Sequence, residues 1–388
     1  MEKQLHFIFY SKLHLYGGGI ETWADYFLKQ LSIEMDDTII RVYLIEPENK
    51  QESIVFGLEK YKNIKFEYLQ IGDVVKQNTI INFFKYDRAI KNLLRKNLNS
   101  NDIIVSIGLL NSGIVLLNRG LLKRNKFITW IRSKSVGEIS TYKSKRYVFL
   151  ANFLEKVTIL KSDYIITNGD DTLEYYAEKY PYHKKKMRRI FNAVDISKFA
   201  YISEKKFESK LINIAYTGRL SIAKGFTDFL QVADKLSKKT KNFKFNIYGD
   251  DASIEKTNLD FITFKGKYEP ENISEILELN DIVLFLNRES QAGGVSHSLL
   301  EAMASGKLIV AWDNYTHNQV LNINNSILVK ESDLHLLEQT LINIKNNKFD
   351  IKTLRENAKN DAKLYSTSRH IQEFNEVIKK VSGDLRDK

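Results

Sequence analysis

The chain alternates short β-branched and aromatic runs with helical stretches, and it does so in two successive series. No other feature restricts the fold as much. Candidate strands of the first series are residues 6–11, 38–45, 64–71, 102–108, 126–133, 164–168 and 188–192, with helical patterns such as 21–31 and 80–98 between them. After a polar stretch around residues 203–210 the alternation restarts, with candidate strands at 212–216, 244–248, 261–264, 281–286, 307–311 and 326–329. Strand–helix alternation predicts parallel sheets with helices on both faces. Two series joined at a polar linker predict two such sheets. The expected fold class is therefore α/β, and the 3 prolines in 388 residues interrupt it little. Ligands of doubly wound sheets lie beyond the carboxyl ends of the strands, so a cleft between two such domains is the expected site.

Three glycine-marked turns follow strands. Tyr16-Gly17-Gly18-Gly19-Ile20-Glu21 comes after the first strand; its glycines let backbone approach a ligand, and the helix start offers N–H groups to an anion. It lacks the third glycine of G-x-G-x-x-G, which disfavours a nicotinamide dinucleotide. Taken alone, it reads equally well as a tight turn. The second, Thr217-Gly218-Arg219-Leu220-Ser221-Ile222-Ala223-Lys224-Gly225, places a guanidinium and an ammonium five residues apart at a turn into a helix. That pairing suits a diphosphate, whereas cations at a helix start without an anion oppose the macrodipole. The third runs from Glu289 through Gly293-Gly294-Val295-Ser296-His297-Ser298 to Glu301 and Gly306. A strand there enters a Gly-Gly loop and then a helix starting near Ser296, so the amides of Ser296, His297 and Ser298 are expected to face an anion. Glu301, a turn further on, is placed to accept hydrogen bonds from a ribose. Its bland alternative is a surface carboxylate, and for His297 a satisfied structural histidine.

The segments GRLSIAKGF and GGVSHSLLEAMASGKLIVAWDN resemble the donor site of retaining family-4 glycosyltransferases with the GT-B fold. The resemblance extends along the chain: YGGGIETWADYFLKQL is similar to that family's N-terminal glycine loop and first helix, IFNAVDISKF to its turn before the interdomain crossing, and LYSTSRHIQEFNEVIKKV to its final helix. It implies two Rossmann-like domains with parallel sheets facing across a cleft. Residues 1–200 would bind the acceptor, residues 201–365 the nucleotide sugar, and residues 366–388 would form a helix crossing back to the first domain. It implies that Arg219 and Lys224 neutralise the nucleotide diphosphate and leaving group, that Glu301 binds the ribose, and that Gly266, Lys267 and Tyr268 read the base. Gly218 belongs to the diphosphate turn, and Gly17, Gly18 and Gly19 to a loop closing over donor phosphates or acceptor. One departure stands out: the first acid of the family's E-x7-E motif is replaced by Gly293, so either Glu289 serves or the amides of Gly293 and Gly294 hold the sugar.

The implied reaction moves a sugar from a nucleoside diphosphate, UDP first, to a glycan or lipid-linked acceptor with retention. The setting expected is bacterial-type cell-surface polysaccharide assembly, such as lipopolysaccharide or capsule. No cofactor is expected beyond the donor itself, and no metal, since cations can do a divalent ion's work and no D-x-D triplet occurs. Where many relatives place a base, this chain has Arg132 and Ser133, which are expected to contact the acceptor; a front-face mechanism needs no base. Rival readings are a catalytically silent GT-B partner subunit, a sugar-nucleotide epimerase and a phosphorylase.

Charge bears on partners. Residues 1–200 carry 32 Lys and Arg against 22 Asp and Glu, and the remainder 27 against 26. Between residues 85 and 150 the balance is 14 against 3. Basic groups recur at Lys85–Lys96, at Lys143, Lys145 and Arg146, and from His183 to Arg189. A polyanion fits them, and an anionic membrane surface fits best because no nucleic-acid motif is present. Their bland alternative is a solvated basic face, with the apolar side of residues 80–98 packed on its own sheet. The chain has 0 cysteines, which excludes disulfide scaffolds and thiolate chemistry and agrees with a reducing compartment. Neither a cleavable leader nor an apolar run of about 18 residues is visible. The expected location is the cytoplasm, peripheral to the plasma membrane's inner face.

Overall fold

The structure, a computed structural model, describes residues 4–15, 18–71, 80–122, 124–134, 136–137, 144–202, 210–249, 261–289 and 293–383, without the side chains of 80–84 and 121. Gly17, Lys143 and most of the polar linker, 203–209, lie outside the described residues. The chain divides into two compact units, residues 1–191 with 370–388, and residues 192–369.

In the first unit seven strands form one sheet: β1 (Leu5–Ile8), β2 (Ile40–Ile45), β3 (Ile64–Leu69), β4 (Ile103–Ile107), β5 (Lys126–Ile131), β6 (Tyr164–Thr167) and β7 (Met187–Arg189). Their order is β3-β2-β1-β4-β5-β6-β7, and every pairing is parallel. Central strands must be apolar on both faces when helices cover both. β1 and β4 meet that demand and are buried along their whole length. Alternate residues serve opposite layers. Phe7, Val42, Val105 and Trp130 face the helix Gly19–Glu34, while Ile8, Tyr43, Ile104 and Phe127 face the helix Ile80–Asn97. Tyr86, Ile90 and Leu94 of the latter are buried in that second layer. From Tyr86 onward its apolar side is thus occupied by its own sheet; the side chains of 80–84 lie outside the described residues.

The helix Thr367–Ser382 completes the first layer. His370, Ile371, Phe374, Val377, Ile378 and Val381 are buried along one stripe of it, and Phe374 stacks on Trp130 with ring centroids 5.5 Å apart.

The second unit holds β8 (Ile212–Thr217), β9 (Phe243–Tyr248), β10 (Ile262–Gly266), β11 (Ile282–Phe285), β12 (Leu308–Asp313) and β13 (Ile327–Lys330). Their order is β10-β9-β8-β11-β12-β13, again parallel. The chain reverses its direction of travel across the sheet between β8 and β11, and such a switch point is where doubly wound sheets take ligands at the strands' carboxyl ends. Each strand expected from the sequence is present, with ends moved by at most three residues. Among the described residues, no helix is long and apolar enough to cross a membrane.

Candidate functional site

The turn after β8 is held on all sides. Gly218 adopts a φ of 134° and donates its N–H to Tyr248 O at 2.9 Å. The Tyr216 hydroxyl donates to Arg219 O (2.6 Å), and Ser221 N–H donates to the same carbonyl (2.9 Å). One short 3-10 turn, Ile222–Lys224, then leads into the helix Phe226–Ser237 through Gly225, whose φ is 71°. A Cβ on Gly225 would stand 2.1 Å from Leu286 O. Glycine is required there twice over, by φ and by the close approach. Arg288 N–H donates to Ala223 O (3.1 Å), and the Arg288 guanidinium grips Asp228 through both carboxylate oxygens (2.8 and 3.0 Å). The turn carrying Arg219 and Lys224 is therefore seated directly on the segment that leaves β11. Arg219 is exposed and Lys224 half-buried.

That segment runs on to the helix His297–Ala304. Ser296 is its N-cap, with the hydroxyl accepting from Leu299 N–H at 3.3 Å. Asn192 donates to Val295 O (2.6 Å) and the His297 ring, through Nδ1, to Ala193 O (3.2 Å), so two side-chain bonds fix the helix start to residues 192 and 193. The His297 ring is thereby engaged in structure. Backbone N–H groups of Ser296 and Ser298 have no acceptor among the described residues. These, together with the positive end of the helix, are what an anion would meet.

Glu301 lies in the second turn of the same helix. Its carboxylate accepts no hydrogen bond from any described side chain or amide, and burial pushes its pKa up to about 7 against a modest opposing pull from Lys198. The Lys198 ammonium comes from the 3-10 turn Ile196–Phe199, capped by Asp195. On the other side stands Tyr268, whose phenol is pushed up by burial and by the Glu301 charge. Tyr268 follows Gly266, at φ 76°, and packs edge-on against Tyr248. Lys267 between them is exposed. Desolvated carboxylates with unused acceptor capacity cluster at binding and catalytic sites.

Glu289 has a different environment. One carboxylate oxygen accepts from Tyr315 N–H (2.9 Å), at the start of the helix Tyr315–Asn318, and the Glu289 amide donates to Glu331 Oε2 (3.2 Å). Gly293 and Gly294 lie between it and the cap, Gly294 buried at φ 76°.

The remaining expected residues belong to the first unit. Gly18, at φ 113°, is the N-cap of the helix Gly19–Glu34. Glu21 in its first turn accepts from Ser11 Oγ at 2.7 Å. Arg132 follows β5, with its guanidinium 4.5 Å from the Trp23 ring centroid and 5.9 Å from that of Trp130. Burial lowers its pKa to about 10. Ser133 comes next, half-buried, and Asn168 donates to Arg132 O (3.0 Å).

Sequence reading passed over Lys198, Arg288 and Glu331. Asn192 had been quoted in a motif without a site role. Each acts on a residue far along the chain, and no spacing rule marks such partners.

Residues 197–364 match the family model for glycosyl transferases group 1. An uncharacterised glycosyltransferase of Methanocaldococcus jannaschii is 25% identical over 385 residues, covering 94% of this chain and 95% of that one. Sucrose-phosphate synthase from Thermosynechococcus elongatus superposes with a TM-score of 0.77 at 14% identity, over 99% of this chain and 100% of that one. The structure of HepE from Anabaena in complex with UDP-glucose gives 0.72 at 14% identity, over 97% and 99%. Residues 197–364 are thus similar to the glycosyl transferases group 1 family, and the chain has the GT-B fold of the glycosyltransferases on which it superposes.

Proposed function

We propose that this protein is a glycosyltransferase that moves a sugar from a nucleoside diphosphate, UDP in the first instance, to a hydroxyl of a glycan or lipid-linked acceptor, with retention at the anomeric carbon. The observation that carries the reading is Glu301, a half-buried carboxylate that accepts no hydrogen bond from the described residues, one turn beyond a helix start whose amides at Ser296 and Ser298 have no acceptor among them. A ribose diol would satisfy the carboxylate. The diphosphate would lie on the helix start, with Arg219 and Lys224 drawn to it from the turn seated on the same strand end. Tyr268, beside Glu301, would face the base, with Gly266 and Lys267 shaping its loop. A HepE structure holding UDP-glucose supports the choice of nucleotide.

Charge builds on the departing β-phosphate as the glycosidic bond breaks. Fixed donors and cations aimed at that charge stabilise it, each by about 3 kcal/mol. On this reading the cations take the role of a divalent metal, and turnover continues in excess chelator. The departing phosphate accepts the acceptor's proton, on the face where the new bond forms, so no separate base is needed. Because one Glu289 oxygen is engaged by the Tyr315 amide, contacts to the sugar are assigned to the Gly293–Gly294 backbone. Gly18, Gly19, Arg132 and Ser133 of the first unit would serve the acceptor. Such an enzyme works in the cytoplasm on cell-surface polysaccharide, at the inner face of the membrane where a lipid-linked acceptor resides.

A calorimetric screen of sugar nucleotides against the wild type, Glu301→Ala and Lys224→Ala tests the assignment. The wild type should bind and slowly hydrolyse one nucleotide sugar, and both variants should lose at least tenfold in affinity or turnover. Two variants indistinguishable from wild type would remove the site. Gly293, in place of the family's first acid, motivates a second reading as a silent partner subunit. Nucleotide binding without transfer or hydrolysis in any pairing would favour it.

A further inference from the structure

The helix Lys145–Lys161 of the first unit is apolar on two sides. Its inner side, with Ala151, Leu154, Val157, Thr158 and Ile159, is buried in the domain. On the outer side Phe149 is 77% exposed, Phe153 49% and Leu160 47%. Residues 149, 153, 156 and 160 are spaced four, three and four apart, which places them on one helical face about 16 Å long. Lys145, Arg146, Lys156 and Lys161 are exposed along the same helix. Its one acid, Glu155, is buried and held by Lys179 (2.6 Å) and the Tyr180 hydroxyl (2.8 Å). The outer face therefore presents cations and hydrocarbon with no negative charge.

Two neighbouring turns extend it. Lys186 donates to Leu160 O (3.3 Å) and Ser162 O (2.6 Å), which brings the 3-10 turn Pro181–Lys186 to this helix end, with Lys184 and Lys185 exposed and Tyr182 97% exposed. Lys161 donates to Leu116 O (3.3 Å), so Leu117, 46% exposed, adjoins the same end.

We propose that this face docks on an anionic phospholipid bilayer, with Phe149, Phe153 and Leu160 entering the boundary between headgroups and acyl chains. Large apolar side chains left in water on a folded surface mark a contact surface. Cations beside them, able to extend to lipid phosphates, fit a helix lying in the membrane plane. A second copy of the chain fits poorly, since two such helices would oppose their cations, Glu155 of each being buried and Asp163 beyond the helix end being paired with Arg119. Nucleic acid would use the cations and rings but gain nothing from Leu117 and Leu160. The proposal rests on, and narrows, the reading of an acceptor met at a membrane, yet docking itself requires no turnover.

Flotation of the full chain with vesicles tests it, using phosphatidylcholine alone and phosphatidylcholine with phosphatidylglycerol, at low and high salt, with UDP binding measured in parallel. The wild type should float with the anionic vesicles and release as salt rises. The double variant Phe149→Ser/Phe153→Ser should partition about tenfold more weakly or worse, and Lys145→Glu/Lys156→Glu should lose at least as much, both with unchanged melting and UDP affinity. Equal flotation of wild type and both variants overturns the proposal. So does a concentration-dependent dimer that the phenylalanine variant abolishes, or salt-sensitive binding to oligonucleotides in place of vesicles. Vesicle binding that persists where UDP binding is absent would remove the donor reading and leave the surface standing.

Discussion

Glu301 is held in an environment that favours its proton, with its pKa near 7 instead of the ordinary 4.5. The sign for stability follows. Between about pH 4.5 and 7 the folded chain keeps a proton that the unfolded chain releases, so stability is lost as pH rises through that window. For ligand binding the sign is opposite. A carboxylate accepting hydrogen bonds from a diol is favoured as the anion, so bound nucleotide should lower its pKa and expel the proton. Affinity for UDP is therefore expected to rise with pH, by up to about tenfold per unit below 7, and to level off above it. Calorimetry in buffers of different ionisation enthalpy would register the released proton. In Glu301→Gln the slope and the proton should both vanish, and an unchanged slope would locate the titration elsewhere. Lys198, which opposes the shift, is a second handle: Lys198→Met should move the inflection upward.

At the scale of elements, the strand-to-helix turn after β8 depends on Gly225. Its left-handed φ and the Leu286 carbonyl 2.1 Å from a would-be Cβ leave no room for alanine. Gly225→Ala is expected to cost about 1–3 kcal/mol or more, read by denaturant unfolding, and to weaken UDP binding because the Arg219–Lys224 turn shifts from its seat. The C-terminal helix makes a second case. His370, accepting from Trp23 Nε1 at 2.9 Å, is pulled down to about 3 by burial and by the neighbouring Arg132 charge. An imidazole kept neutral in the fold takes up its proton when unfolded, so stability present above pH 6.5 is lost on acidification towards 3, by about 1.4 kcal/mol per pH unit. His370→Gln keeps an acceptor for Trp23 and should flatten that part of the stability profile. Elements such as these were legible to different degrees. Buried central strands announce themselves by continuous apolar runs, which is why β4 and β11 could be read to within a residue or so. Ends were less legible: β1 stops at Ile8, three residues before Ser11, where its register with β2 and β4 ends although single backbone bonds to β2 continue at Phe9 and Ser11. The glycines of the second unit's turns were visible as residues. What Gly225 touches was not, because the Leu286 carbonyl enters only when distant strands lie side by side. Glu289 illustrates the same limit, since its partner, the Tyr315 amide, is 26 residues away.

For the whole molecule, charge and ligand chemistry are unevenly divided along the chain. Residues 1–200 hold nearly all of the net charge of +11, while two of the three glycine-marked turns, the capped helix start and Glu301 belong to residues 192–369. A ligand that binds only the native state stabilises what it touches, by an amount set by its concentration over its dissociation constant. UDP without sugar or acceptor should therefore protect amides of one unit first. Hydrogen exchange on the full chain is expected to slow at 218–226, 266–268 and 293–301. Residues 126–134, which lead to Arg132 and Ser133, should exchange as before until an acceptor is added. The opposite pattern, with protection confined to residues 18–22 and 126–134, would move the nucleotide to the first unit and dissolve the assignment of Arg219, Lys224 and Glu301 together. Raised salt separates the two kinds of contact. Screening should release the basic helix from anionic vesicles while leaving the protection at 293–301 largely in place, because the amides and carboxylate there act at hydrogen-bond range and partly out of water.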